Sequence, residues 1–386
     1  MKTLIELYDE RPFENVLATQ VFKPQTTVYV CPEGIDPRGI IGYFKYAGIK
    51  TKPVFAKCDV YDTRSLLSCL RSVVLQNEDC ALDITGGTDA ALFAAGVLHA
   101  ETGLPAFTYS RRRNTFYSIS GAEFADKLPC PLSLKVEDFF VMAGGSVRRG
   151  RVDNNVLKNY LGSFDPFFNV YLKHKKDWKN IIGWFQRVSM PVEGRISIHI
   201  SAPFSVKNEQ GGTIRINPDA LKELENIGFI KSLSITSDRT EFDFKDGQVR
   251  AWLRDIGSVL ETYVYNACLK TGLFTDVCTS VIVDWEGTGS QTDVTNELDV
   301  MASVGVRPVF ISCKATDIKT YAINELKVLT DRFGGKNARS ALVTTCPCGR
   351  LARRRAEEMG ITIIDIYDLK QGRLQSRIAE LAEIQK

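Results

Sequence analysis

The stretch Asn296–Lys314, NELDVMASVGVRPVFISCK, leaves few structures open to it. A carboxylate opens a short apolar run, Gly305 permits a reversal, and a second apolar run ends in a lysine after Ser312 and Cys313. This is the pattern of a β-hairpin with charged groups at its open end. A two-residue turn at Val306 and Arg307 would set Gly305 against Pro308 and Asp299 directly opposite Lys314 on one face, roughly 5 Å apart at Cβ. An exposed cross-strand ion pair stabilises little. Here Val300, Val309, Phe310 and Ile311 make both arms largely buried, and buried charges are costly unless they are paired, bind metal or do chemistry. Upstream, a helix read over Trp252–Leu269 carries Glu261. Its neighbours three and four residues away are Gly257, Ser258, Val264 and Tyr265, so it has no basic partner on its own helix.

With 386 residues, 44% hydrophobic and 25% charged, the chain can bury two or three cores. It has no apolar run of transmembrane length and no signal peptide, so no membrane association is expected and the cytoplasm is the expected compartment. Ten scattered cysteines fit buried thiols and not a disulfide framework. Cys346 and Cys348 form C-P-C, but no second pair stands at zinc-ribbon spacing. His99, His174 and His199 stand alone, which argues against a histidine triad or a histidine metal site. A net charge of +3 means that any nucleic acid must be held by local patches and a metal.

The first ~130 residues alternate strand and helix as in a parallel α/β sheet. Strands are expected at Leu4–Tyr8, Thr27–Cys31, Val54–Ala56 and Cys80–Ile84, with Pro105–Tyr109 and Thr115–Ile119 as a closing hairpin around Arg111, Arg112, Arg113 and Asn114. The segment Asp83-Ile84-Thr85-Gly86-Gly87-Thr88 passes from a buried strand into a helix. Its backbone N–H groups and hydroxyls could cradle a phosphate without a lysine, or its glycines could merely allow a tight turn. It is neither a Walker A motif nor G-x-G-x-x-G. Glycines and a composition shift across Lys127–Pro131 and Met142–Arg151 suggest a linker. Beyond it, two helices are expected around Val156–Leu161 and Trp178–Phe185. Asn217 caps a helix over Pro218–Asn226, and Ile230–Ile235 pairs with Thr240–Phe244. After Lys314, helices are expected at Tyr321–Arg332, Arg350–Gly360 and the charged tail Leu369–Gln385, and strands at Ala341–Thr344 and Ile361–Ile366. Arg353 with Glu357 and Arg354 with Glu358 stand at i,i+4 spacing.

A helical Glu, a strand Asp and a strand ending in x-x-Lys, in that order, resemble the PD-(D/E)xK restriction-endonuclease-like family. The resemblance implies a catalytic set of Glu261, Asp299, Lys314 and Ser312. Mn2+ or Mg2+ would be held by Glu261, Asp299 and the Cys313 backbone carbonyl, and Lys314 would orient or activate the attacking water. Ser312 stands where that family carries an acidic residue. Its hydroxyl, a bound water or Glu325 could fill the place, or the site could be impaired. Asp284 and Glu297 are further acidic candidates, read as structural or outlying.

Asp83–Thr88, following several βα units and preceding an aromatic hairpin, resembles the CRISPR-associated Rossmann fold (CARF) sensor. That family binds cyclic oligoadenylates across a homodimer axis. Carried onto this chain, the binding positions are Asp9, Glu10 and Arg11, then Thr85, Gly86, Gly87 and Thr88, and Tyr109, Ser110 and Arg111. All lie at carboxyl ends of strands, where open α/β sheets bind ligands. The helix and hairpin from Asn217 to Phe244 resemble a winged helix, read as a spacer because the helix sets Glu223 and Glu225 against Lys222.

The implied architecture is α/β: a Rossmann-like CARF sensor over 1–145, a winged-helix-like linker over 146–245 and a restriction-endonuclease-like domain over 246–386. This order resembles the CARF-nuclease effectors of type III CRISPR antiviral defence. It implies a homodimeric, metal-dependent endonuclease, switched on by cyclic tetra-adenylate, that cleaves single-stranded RNA or DNA or nicks duplex DNA. The alternatives are a cyclic-nucleotide-responsive DNA-binding regulator with an inactive nuclease fold, and a repair nuclease with no second messenger.

Overall fold

The computed structural model describes residues 1–148, 154–191, 196–208, 211–287 and 294–383. Gly150 and Arg151 of the expected linker and Gln385 of the expected tail lie outside the described residues. The N-terminal part is a seven-stranded sheet in the order Lys52–Lys57, Thr26–Cys31, Thr3–Leu7, Cys80–Asp83, Ala106–Ser110, Thr115–Ser120, Leu128–Pro129. The first five strands are parallel and the last two antiparallel. Thr3–Leu7 is buried at every position because helices cover both faces. Leu4, Tyr29 and Ala81 enter one core, while Ile5, Val28 and Leu82 enter another beneath the helices Thr63–Gln76 and Asp89–Thr102.

The middle part packs the helices Phe164–His174 and Trp178–Val188 against a three-stranded sheet, Ile230–Ile235, Arg239–Phe244 and His199–Pro203. The helix Pro218–Asn226 begins where expected, with the Asn217 side chain accepting from the Asp219 N–H. No helix is expected over 164–174 from the residues alone. Its Pro166 sits in the first turn, where a proline removes no helical hydrogen bond.

The C-terminal part is a six-stranded sheet in the order Ile361–Ile364, Arg339–Thr344, Arg307–Lys314, Thr295–Val304, Asp276–Asp284, Ser146–Arg148. The strand Ser146–Arg148 lies in the stretch expected as linker, yet it pairs with Val283 and its neighbours as the sheet edge. This sheet is shared between two cores. Val300, Ala302, Val309 and Ile311 face the core that continues into the middle part, and Met301 and Phe310 face the core that continues into the N-terminal part.

Three expectations need correction. The helix read over Trp252–Leu269 is two helices, Gly247–Trp252 and Ser258–Thr271. They break at Asp255, whose carboxylate accepts from the Ser258 N–H (2.9 Å) and hydroxyl (2.7 Å). The tail is also broken, into Ile366–Lys370 and Leu374–Ala382, around Gly372 at φ +67°. The hairpin turn is Gly305–Val306, with Gly305 at φ +56°, because Val304 pairs with Arg307 and Ser303 with Pro308. Continuing that register sets Asp299 opposite Ser312 and not Lys314. The slip is two residues, so every side chain keeps its face.

Candidate active site and sensor cavity

Asp299 has a half-buried side chain whose Oδ2 is held from three sides. It accepts from the Cys313 N–H at 2.6 Å and the Ser312 hydroxyl at 3.0 Å, and Lys314 Nζ lies 3.5 Å away. In a strand the N–H and C=O of one residue project to the same side, so the Cys313 carbonyl also faces the Asp299 strand. Glu261 sits in the first turn of the helix Ser258–Thr271, its N–H bonded to the Gly257 carbonyl at 3.1 Å. Burial pushes its carboxyl up to about 8, aided by the negative charges of Asp299, Asp255 and Glu297 and opposed by Lys314. Burial pulls the Lys314 ammonium down, but Asp299, Cys313 and Glu325 outweigh it and hold its pKa above the ordinary value. Lys314 is therefore a cation at neutral pH, suited to offset negative charge and not to take a proton.

A cavity of about 20 Å³ lies between Glu297, Asp299, Ser312 and Lys314 on the strands and Glu325 on the helix Thr320–Gly334. That is room for about one water. The Glu325 carboxylate accepts from Asn296 Nδ2 at 3.1 Å. Among the described residues no three His, Cys, Asp or Glu side chains gather as a ready metal shell. The groups near Glu261 are nonetheless hard oxygen donors with mutually repelling charge, and a hard cation would relieve that repulsion. The set fits an ion held by two carboxylates, a carbonyl and water, not one caged by protein. Ser312 spends its hydroxyl as a donor to Asp299. Asp284 is fully buried, pairs with Arg148 at 3.0 Å and accepts from the N–H groups of Glu286 and Gly287, a turn-holding role.

In the N-terminal part, Asp9, Glu10, Arg11, Gly87 and Thr88 line one cavity of about 310 Å³. Thr88 caps the helix Asp89–Thr102, accepting from the Ala91 N–H. Gly87 has φ +96°, and a Cβ there would lie 2.7 Å from Leu7 Cβ. Thr85, Gly86, Tyr109, Ser110 and Arg111 do not line this cavity. The Thr85 hydroxyl donates to Asp83 and accepts from the Tyr109 N–H. A Cβ on Gly86 would meet Asp9 Cβ at 3.0 Å. Arg111 is bound to the buried Glu14 at 2.6 Å. Burial pushes Asp83 up to about 7 against its bonds from Thr85 and the Arg111 charge. Tyr8, Pro32, Val60 and Tyr61 complete the cavity wall. They went unread from the residues, although Tyr8 and Pro32 directly follow strands and the same carboxyl-end rule reaches them.

Residues 250–383 match the Card1-like endonuclease domain family. Two solved structures share the architecture of the whole chain. Protein VC1899 from Vibrio cholerae is similar at TM-score 0.76 and 16% identity, covering 99% of this chain and 98% of its own. Can2 from Sulfobacillus thermosulfidooxidans, in complex with cyclic tetra-adenylate, is similar at TM-score 0.71 and 15% identity, covering 99% of each chain. A search of curated proteins returned no match. The overall fold is thus the one that VC1899 and Can2 share, and the family match over residues 250–383 supports nuclease activity.

Glu261, Asp299, Ser312, Cys313, Lys314 and Glu325 all fall inside the Card1-like domain. Of its expected surface pairs, Arg354 does reach Glu358 at 3.1 Å, but Arg353 binds Asp365 at 2.7 Å and not Glu357. Asp365 caps the next helix, so a buried carboxylate competes better for the arginine than a solvated one. Outside that domain, Glu223 of the helix Pro218–Asn226 is bound by Lys173 and His174, and Glu225 accepts from the Leu233 N–H. Those contacts tie the helix to Phe164–His174 and Ile230–Ile235 of the middle part. No helix among the described residues is long and apolar enough to cross a membrane.

Proposed function

We propose that this protein is a homodimeric, cyclic tetra-adenylate-activated endonuclease that uses Mn2+ or Mg2+ to cleave single-stranded RNA or DNA, or nick duplex DNA, in type III CRISPR defence. The observation that carries the reading is Asp299 clamped by Ser312, Cys313 and Lys314 beside a Glu261 carboxyl crowded by like charges. Glu261, Asp299 and the Cys313 carbonyl would hold the cation, which when bound polarises the scissile phosphate and acidifies a coordinated water. The three donors on Asp299 fix its orientation before substrate arrives, so little reorganisation is left for the reaction. Lys314 offsets the charge that develops on the phosphate. The activator would enter through the cavity lined by Asp9–Arg11 and Gly87–Thr88, a reading that the cyclic tetra-adenylate in Can2 supports.

Cleavage of a labelled single strand with Mn2+, with and without cyclic tetra-adenylate, tests this. Asp299→Ala and Lys314→Ala should each abolish cleavage while leaving activator binding intact. Wild-type rates in both variants would refute the site, and equal cleavage with and without activator would refute the sensor.

A further inference from the structure

The middle part carries a groove that this reading leaves unused. It lies between the helix Trp178–Val188 and the strand pair Ser205–Lys207 and Thr213–Arg215, with a cavity volume of about 840 Å³. Gly183 lets the strand pair approach closely, since a Cβ there would stand 3.1 Å from Ile214 Cδ1. Lys179, Arg187 and Arg254 line the groove, and among its described lining residues there is no carboxylate. Arg254 is committed to the Ser189 carbonyl at 2.8 Å. Arg187 has only a long contact to the Met190 sulfur at 3.8 Å, and Lys179 is exposed. The same lining holds two apolar side chains left in solvent, Met190 at 52% and Ile256 at 37% exposure.

Part of the groove's lining comes from the loop between the two helices that lead to Glu261. Arg254 and Ile256 line it, while Asp255 between them caps the Glu261 helix through Ser258 and raises the Glu261 pKa by its charge. A polyanion lying in the groove is therefore led to the edge of the candidate active site. Cations and exposed apolar groups in one groove match a strand whose phosphates and base faces are both accessible, which a duplex does not offer.

We propose that this groove holds the flank of a single-stranded nucleic acid substrate, with Lys179 and Arg187 on its phosphates and Met190 and Ile256 against its bases. The proposal rests on the nuclease reading for what lies at the groove's end, but binding can be measured without cleavage. The test uses the full chain and labelled oligo-dT and oligo-U of about 20 nucleotides, long enough to fill both groove and site. Lys179→Ala/Arg187→Ala should bind both about tenfold more weakly, with the slope of log affinity against log salt reduced by about 1.4, or 0.7 per lost phosphate contact. Lys179→Arg/Arg187→Lys should restore binding, which separates lost charge from lost folding. In cleavage, the alanine pair should raise KM and leave kcat unchanged on the long strand, and should not affect an oligonucleotide of about four residues.

Wild-type affinity and salt slope in the alanine pair would overturn the groove. So would a failure of the wild-type protein to bind either strand, or a loss confined to duplex binding. Weakened single-strand binding in the alanine pair, beside a wild-type protein that binds but cleaves nothing, would support the groove and defeat the nuclease reading.

Discussion

Glu261 holds a proton that the same side chain would release in water. Its pKa of about 8 in the fold exceeds the ordinary 4.5. Between those values the folded state carries a proton that the unfolded chain has lost, so stability falls as pH rises through that window. Glu261→Gln removes this dependence. Without divalent cations, its thermal midpoint should match the wild type's near pH 5 and exceed it by the equivalent of about 3 kcal/mol near pH 8. A difference that stays flat from pH 5 to 8 would mean that Glu261 is ionised in the fold. If Glu261 ligates the proposed cation, binding at neutral pH expels that proton, and Mn2+ affinity should climb from pH 6 to 8. The candidate residues on the hairpin still come together because their pattern survives an error in register. The turn lies one residue earlier than expected, which moves each cross-strand partner by two, and a two-residue slip preserves the face on which Asp299, Ser312 and Lys314 stand. What the residues could not convey was the role of Ser312, which depends on an oxygen across the hairpin.

Among elements, those whose signals are local were readable and those set by distant partners were not. The N-terminal strands are short apolar runs between glycines, prolines and capped helices, and all five of the parallel sheet stand within a few residues of expectation. The three-residue strand Ser146–Arg148 has no such signal, since it is a strand only through its pairing with Ile282–Asp284. The break at Asp255 was missed because the apolar period runs on through it, although Asp255 three residues before Ser258 is a helix-start signal. The tight element in the N-terminal part is the turn at Gly87. Its left-handed φ and the nearness of Leu7 penalise any side chain twice. Gly87→Ala should cost about 2 kcal/mol in denaturant unfolding and weaken cyclic tetra-adenylate binding in calorimetry. Undiminished stability and affinity would show that the turn can relax and that the glycine is incidental.

Across the whole molecule, the hairpin of the candidate site reaches from that site to the N-terminal part. Its open end carries Asp299 and Lys314, and its turn abuts the N-terminal part. A Cβ on Gly305 would lie 3.8 Å from Asn114 Nδ2, and the Gly305 carbonyl accepts from the Leu134 N–H at 2.8 Å. The Ser303 hydroxyl donates back to the Leu134 carbonyl at 2.6 Å. Asn114 in turn accepts from the Tyr109 hydroxyl at 2.7 Å, and the Tyr109 N–H donates to Thr85 in the Asp83–Thr88 turn. A shift in that turn therefore has hydrogen bonds as far as Asn114, a close approach of Asn114 to Gly305, and two stiff strands from there to Asp299. Shared burial supports it, because Tyr109 and Phe116 lie in one core with Met301, Val306 and Phe310. Asn114 has φ +49°, which glycine also accepts, so Asn114→Gly removes the side chain without straining the turn. If this path carries activation, Asn114→Gly should leave basal cleavage and cyclic tetra-adenylate affinity near wild type. The ratio of cleavage rates with and without saturating activator should fall by about 3- to 30-fold, the scale of coupling that one residue on such a network modulates. An unchanged ratio would move the coupling away from the hairpin turn, to the subunit interface or to the core around Phe140 and Phe333.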